Sequence, residues 1–166
     1  MDKSTDDSIK KFCAICDWAH QVWSTYNTLF DDNPRSEELQ VSTGSSTLYR
    51  LNIICMEYLI LQISKIHDQS GKGKNKNLSI NHILENGNWD NETKKALQEV
   101  NDRLLVLYIK ITPARNKIIS HHDLCTFLEE KNLGEFKEGE DQIYFNNLQL
   151  FVNLIHQERF GKPFQF

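Results

Sequence analysis

Arg115, Asn116, His121 and His122 fall in one short stretch of the chain, and together they offer side chains that can grip a phosphate and transfer a proton. Arginine presents a planar fork of donors and a permanent charge, a shape suited to gripping a phosphate. Histidine gives or takes a proton near neutrality. On an ideal helix of about 100° per residue, Arg115, Ile118, His121, His122 and Cys125 share an arc of about 120°, with the apolar Ile118 and Cys125 between the polar flanks. Such a face places a cation and two titratable rings at the edge of an interface. The same spacing describes an ordinary amphipathic helix whose Arg and His flank a buried stripe, and spacing alone leaves both readings open. Asn116 and Asp123 point to roughly the opposite side, so Asp123 is a poor partner for His121 within that helix.

Charge supports a local phosphate site although the chain is acidic overall, with a net charge of -4. From Arg103 to His122 there are four bases, two histidines and no acid, whereas Glu129 to Asp141 holds six acids against two lysines. Lys110 and Lys117 therefore join Arg115 as candidate backbone contacts. Lys72, Lys74 and Lys76, in the polar run Gln69–Asn77, would add attraction if that loop folds over a site. The Gly71-Lys72-Gly73-Lys74 string lacks the spacing of a phosphate loop, and a mobile, solvated loop is the simpler reading.

Cys13, Cys16 and His20 form a C-x2-C-x3-H pattern on one helical face. Two thiolates and an imidazole can hold zinc, but a structural site needs a fourth ligand and usually a turn between its cysteines. The alternative is that this face is the core stripe of the first helix, because free cysteine is among the most buried residues. The expectation is no metal and no cofactor.

These residues need helices to position them. The chain has 166 residues, 39% hydrophobic and 25% charged, which suits one folded domain over 1–166 and excludes a disordered segment. Only three prolines and seven glycines interrupt it. Apolar periodicity predicts an amphipathic helix over about 8–30 and a short helix near 35–40. An apolar helix over about 46–67 follows, with the all-round hydrophobicity of a central element. Ser79 can cap a short helix that ends before Gly87, a residue suited to the C′ position. Asp90 can cap the next helix, which Pro113 ends or kinks, with Thr112 suited to capping a further helix from Pro113 to about 131. A last helix covers about 142–160. No strict alternation is present, so the fold class is all-α: a helical bundle of about five main helices plus short ones. The N-terminus lacks a secretory pattern and no stretch is long enough to span a bilayer, which predicts a cytoplasmic protein with reduced cysteines.

Arg115-Asn116 followed by His121 is an R-N-x4-H string, and the longer form R-N-K-x-x-x-H-x-D resembles the HEPN superfamily. With Leu59-Ile60-Leu61-Gln62-Ile63-Ser64-Lys65-Ile66-His67-Asp68 and Asn77-Leu78-Ser79-Ile80 upstream, the chain resembles the branch related to abortive-infection U-type proteins, from about Leu29 to Asp123. The resemblance implies a helical bundle that pairs as a homodimer, with two copies of the Arg/His motif meeting in a cleft. It implies a metal-independent endoribonuclease of a toxin–antitoxin or phage-defence system, or else a non-catalytic binding or assembly module. In the first case Arg115 and His121 are catalytic, Asn116 and His122 support them, and RNA is the partner. An antitoxin or nucleotidyltransferase partner is also implied. His122 stands as the alternative proton carrier.

Overall fold

A computed structural model describes residues 3–31, 33–116 and 137–166. Helix α1 spans Lys3–Tyr26 and continues into a π-helical turn over Asn27–Asp31. Two further helices follow, α2 over Ser36–Thr43 and α3 over Ser45–Ile66. A small antiparallel hairpin pairs β1 (Gly71–Lys72) with β2 (Asn75–Lys76). Helix α4 covers Ile80–Asn86, α5 covers Asn91–Ala114 and α6 covers Glu140–Phe160. The result is the all-α bundle that the periodicity predicts, and no described helix is long and apolar enough to cross a membrane.

The core lies among α1, α3, α5 and α6. Ile9, Phe12, Cys13, Cys16 and Ala19 of α1 recur at three- and four-residue intervals and are fully buried. They meet Leu97, Leu104 and Ile111 of α5 and Phe145, Leu148, Phe151 and Val152 of α6 in one cluster. Phe12 and Phe151 meet edge to face, with ring centroids 6.1 Å apart. Complete burial of such side chains stabilises the fold by about 1.5–3 kcal/mol each. An ion pair and a hydrogen bond mark the direction of the helices. Asp6 near the start of α1 accepts from Arg159 near the end of α6, while Trp23 near the end of α1 donates to Asp141 at the start of α6 (2.7 Å). The two helices are therefore antiparallel.

The expected caps form. The Ser79 side chain accepts from the backbone N–H of His82 (3.4 Å), and Asp90 accepts from that of Thr93 (2.7 Å). Gly87 follows α4, but with φ -78 it is not left-handed. Its requirement is space: a Cβ there would stand 2.1 Å from Cε2 of Trp89. The Trp89 indole N–H is tied to the carbonyl of Ile83 (2.9 Å), so the ring cannot retreat cheaply. Gly87→Ala is expected to destabilise the protein by about 1–3 kcal/mol, measured as a lowered urea midpoint at unchanged m-value.

Three expectations are corrected. The run Gln69–Asn77 is a hairpin, not a loop, because Gly73 supplies the positive φ (63) at the first central position of a two-residue turn. Pro113 does not end α5, which runs through it to Ala114. Thr112, rather than capping a new helix, donates its hydroxyl to the carbonyl of Tyr108 (2.7 Å) inside α5. Proline removes the bond to the carbonyl of Ile109, and Ile109 lies on the exposed face where solvent can serve that oxygen. Finally, α3 is not surrounded on all sides. Its C-terminal half buries Leu59, Ile60, Ile63 and Ile66, whereas Tyr49, Leu51 and Ile54 in its N-terminal half are exposed.

Candidate functional site

Arg115 follows directly on α5, and with Asn116 it continues the helix in wider, π-type geometry. The backbone N–H of Arg115 donates to the carbonyls of Ile111 and Thr112. Its side chain is half-buried. Nη1 donates to Oδ1 of Asn116 (2.8 Å), while Nε is buried and has no hydrogen-bond partner among the described residues. No carboxylate among the described residues forms an ion pair with this guanidinium. A buried, unpaired donor on a cation is costly unless something occupies it. His121, His122 and Lys117 lie outside the described residues, as do Ile118 and Cys125.

Lys110 shares α5 with Arg115, about 7.5 Å earlier along the axis. Its ammonium forms an ion pair with Glu140 at the start of α6. That bond, together with the backbone N–H of Lys137 (2.8 Å), holds the Glu140 carboxyl below its ordinary range. Lys110 is thus a bridge between α5 and α6 as well as a candidate phosphate contact. The hairpin lysines stand elsewhere. In the observed register Lys76 opposes Gly71 and Lys72 opposes Asn75, which sends Lys72 and Lys76 to opposite faces, with Lys74 in the turn.

Lys76 also lines a cavity with Ser4, Thr5 and Ser8 at the start of α1. The start of α1 meets the end of α6, and a helix of that length spans about 30 Å, so Lys76 and the Lys110–Glu140 pair lie towards opposite ends of the bundle. Within one chain the structure brings together Arg115 and Asn116; Lys110 lies about 140° round the helix from Arg115 and pairs with Glu140.

The C-x2-C-x3-H residues are packing groups. Cys13 and Cys16 are buried in the core, and burial pushes the Cys13 thiol up to about 12 and raises that of Cys16 well above its ordinary value. A thiol in that state is a poor metal ligand. His20 stacks on Phe166 at 4.9 Å and lies 5.3 Å from Trp23. No metal-holding cluster forms among the described residues.

His67, quoted above only as part of a motif, has a definite place in the fold. It closes α3, its Nε2 lies 3.0 Å from the Tyr144 hydroxyl, and its ring stacks on Tyr108 at 4.6 Å. Burial lowers its pKa from 6.5 to about 4. Asn81 donates to the His67 and Asp68 carbonyls (3.4 and 3.2 Å), which ties α4 to the end of α3. The string Lys65-Ile66-His67-Asp68 is therefore a structural junction.

The described residues thus form a helical bundle with an Arg–Asn pair directly after the long helix α5. The family model described as HEPN_AbiU2 (AbiU2) matches residues 2–166, and the chain belongs to that family, an abortive-infection branch of HEPN domains. Searches of the curated proteins and of the solved structures return no significant match.

Proposed function

We propose that the protein is a homodimeric, metal-independent endoribonuclease of a toxin–antitoxin or phage-defence system, with a composite cleft built from Arg115 and His121 of both copies. The observation that carries this reading is the Arg115 guanidinium. It is held by Asn116, has a buried Nε without a partner and meets no carboxylate among the described residues. RNA supplies its own nucleophile, the 2′-hydroxyl. In this reading His121 takes or gives the proton at that hydroxyl or at the leaving oxygen, with His122 as the alternative carrier. Arg115 binds the scissile phosphate and stabilises the charge that builds on its oxygens.

The exposed side of α5 and α6 supports pairing. Val106 and Ile109 of α5 and Ile143 of α6 are 60–66% exposed, and Val106 and Ile143 line one small cavity. At about 100° per residue, Asn116 returns to within about 20° of Ile109 while Arg115 lies about 120° round from it, so the apolar stripe leads to the residue that holds Arg115 and leaves the guanidinium at its flank. A second copy seated there, related by a two-fold axis, would bury both stripes and bring the two α5 ends towards each other.

Analytical ultracentrifugation of the wild type at micromolar concentration should give a dimer. Ile109→Glu should give a folded monomer with unchanged helical circular dichroism and little cleavage of single-stranded RNA. A monomeric wild type, or a dimeric Ile109→Glu, would remove the composite cleft. RNA binding should also weaken steeply as salt rises, since phosphate contacts release counterions. A wild type that binds RNA without cleaving it in the presence of a chelator would instead support the non-catalytic binding module.

A further inference from the structure

A cavity of about 640 Å³ opens where α1 passes into its π-helical turn, between that turn, α3 and the start of α6. Its volume lies within the range of about 300–1,000 Å³ that small-molecule sites occupy. Trp23, Tyr26, Asn27 and Phe30 of one helical face line it, with Glu138 and Asp141 across from them. Tyr26 and Phe30 are ring neighbours at 5.4 Å, and Phe30 is only half-buried, so part of its surface is open to a flat ligand. The Trp23 indole N–H donates to Asp141 Oδ2 (2.7 Å), which anchors this carboxylate at the wall. Oδ1 of Asn27 is buried and accepts no hydrogen bond.

We propose that this cavity is a nucleobase subsite for single-stranded RNA, selective for bases that carry an exocyclic amine. The proposal rests on the RNA reading above, and it adds where and how a base is held. Three observations point to that chemistry. Aromatic side chains stack on any base, since every base has a π-face. The unpartnered polar atom is an acceptor, the carboxylates of Glu138 and Asp141 are acceptors too, and Gln142 gives its amide N–H to Asn146 (2.9 Å), so beside the one cation of the lining, Lys137, the wall presents mostly acceptors and the matching ligand edge is a donor. Adenine, cytosine and guanine present an amine donor, and uracil does not. The site also stands at the correct end of the molecule. Asp141 adjoins Glu140, Glu140 pairs with Lys110, and Lys110 precedes Arg115 on α5. π-helical turns recur at functional sites, and this one carries both Asn27 and Phe30.

The test is isothermal titration of the full chain with AMP, GMP, CMP and UMP, and with ribose 5-phosphate as the control. The three amine-bearing nucleotides should bind at least five-fold more tightly than UMP, and ribose 5-phosphate should give no heat. Asn27→Leu removes the acceptor at similar volume. It should weaken AMP at least ten-fold and leave the four nucleotides nearly equal. Phe30→Ala, at a half-buried position that tolerates truncation, should weaken all four alike, and it keeps the test decisive if Asn27→Leu fails to fold. UMP binding as tightly as the others, an intact preference in Asn27→Leu, or no nucleotide binding at all would overturn the subsite. RNA cleavage by a wild type that binds no nucleotide would overturn the subsite alone. Selective nucleotide binding by a protein that leaves RNA uncleaved would uphold the subsite and remove the nuclease reading.

Discussion

Arg115→Ala is expected to lower RNA cleavage by about two to three orders of magnitude, the usual cost of removing one preorganised donor to a developing oxyanion. The variant should fold. Arg115 makes no ion pair among the described residues, and its side-chain bond to Asn116 lies on the surface, so its removal leaves the core cluster intact. Relieving the unpartnered Nε should, if anything, stabilise the fold slightly. Arg115→Lys should recover little activity, because an ammonium cannot reproduce the two-pronged grip of a guanidinium. Asn116→Ala should fall between the wild type and Arg115→Ala, since it frees the Arg115 head without removing it. The measurement is single-turnover cleavage of a labelled single-stranded RNA with chelator present, beside His121→Ala and His122→Ala. Whichever histidine carries the proton will show the larger loss. Equal activity in all variants would trace the cleavage to a contaminant and set aside the assignment of Arg115.

The second large effect concerns stability against pH. His67 is held neutral in the fold, with its pKa lowered from 6.5 to about 4 by burial. In the unfolded chain it protonates near 6.5. The unfolded state therefore binds more protons between these values. The stabilisation is complete above pH 6.5, declines as pH falls and is lost near pH 4. A difference of this size corresponds to about 3 kcal/mol. The groups in contact with the ring are Tyr108 and Tyr144, and no described carboxylate bonds to it. His20, whose pKa burial also lowers, acts in the same direction as pH falls below 6.5. Asp90 and Glu140 are held below their ordinary values of 3.8 and 4.5 by their hydrogen bonds. Their stabilisation is present above those values and is lost only as pH falls below them. Urea unfolding at pH 7.5, 6, 5 and 4.5 should show a steady loss that His67→Gln flattens. An unchanged slope in that variant would assign the acid sensitivity to other groups.

Some features were legible before any tertiary contact was known. Helical periodicity over α1, α5 and α6 comes from the placement of apolar residues within each segment, so the sequence alone determined these helices and the all-α class. The caps at Ser79 and Asp90 are equally local, for a hydroxyl or carboxylate reaching the next turn needs no other element. The Arg115-Asn116 string and its family likeness were also a matter of sequence. Helix α5 continues past Pro113 because a lost backbone bond matters only where solvent cannot replace it, and the sequence does not say which side of α5 is wet. Gly87 was misread as a conformational requirement. Its reason is the Trp89 ring, which the fold of the following turn lays over it.

What only the tertiary structure decided is how distant side chains meet. Trp23 and Asp141 are 118 residues apart and share a hydrogen bond, and His67 and Tyr144 are 77 apart and share another. Neither pair has a local signature, since polar partners in a bundle are chosen by helix order and direction. The same rule separated the hairpin lysines from Arg115. Charge can be counted along a sequence, but whether two charges act at one site depends on the antiparallel packing of α1 against α6, which puts Lys76 at one end and the Lys110–Glu140 pair at the other.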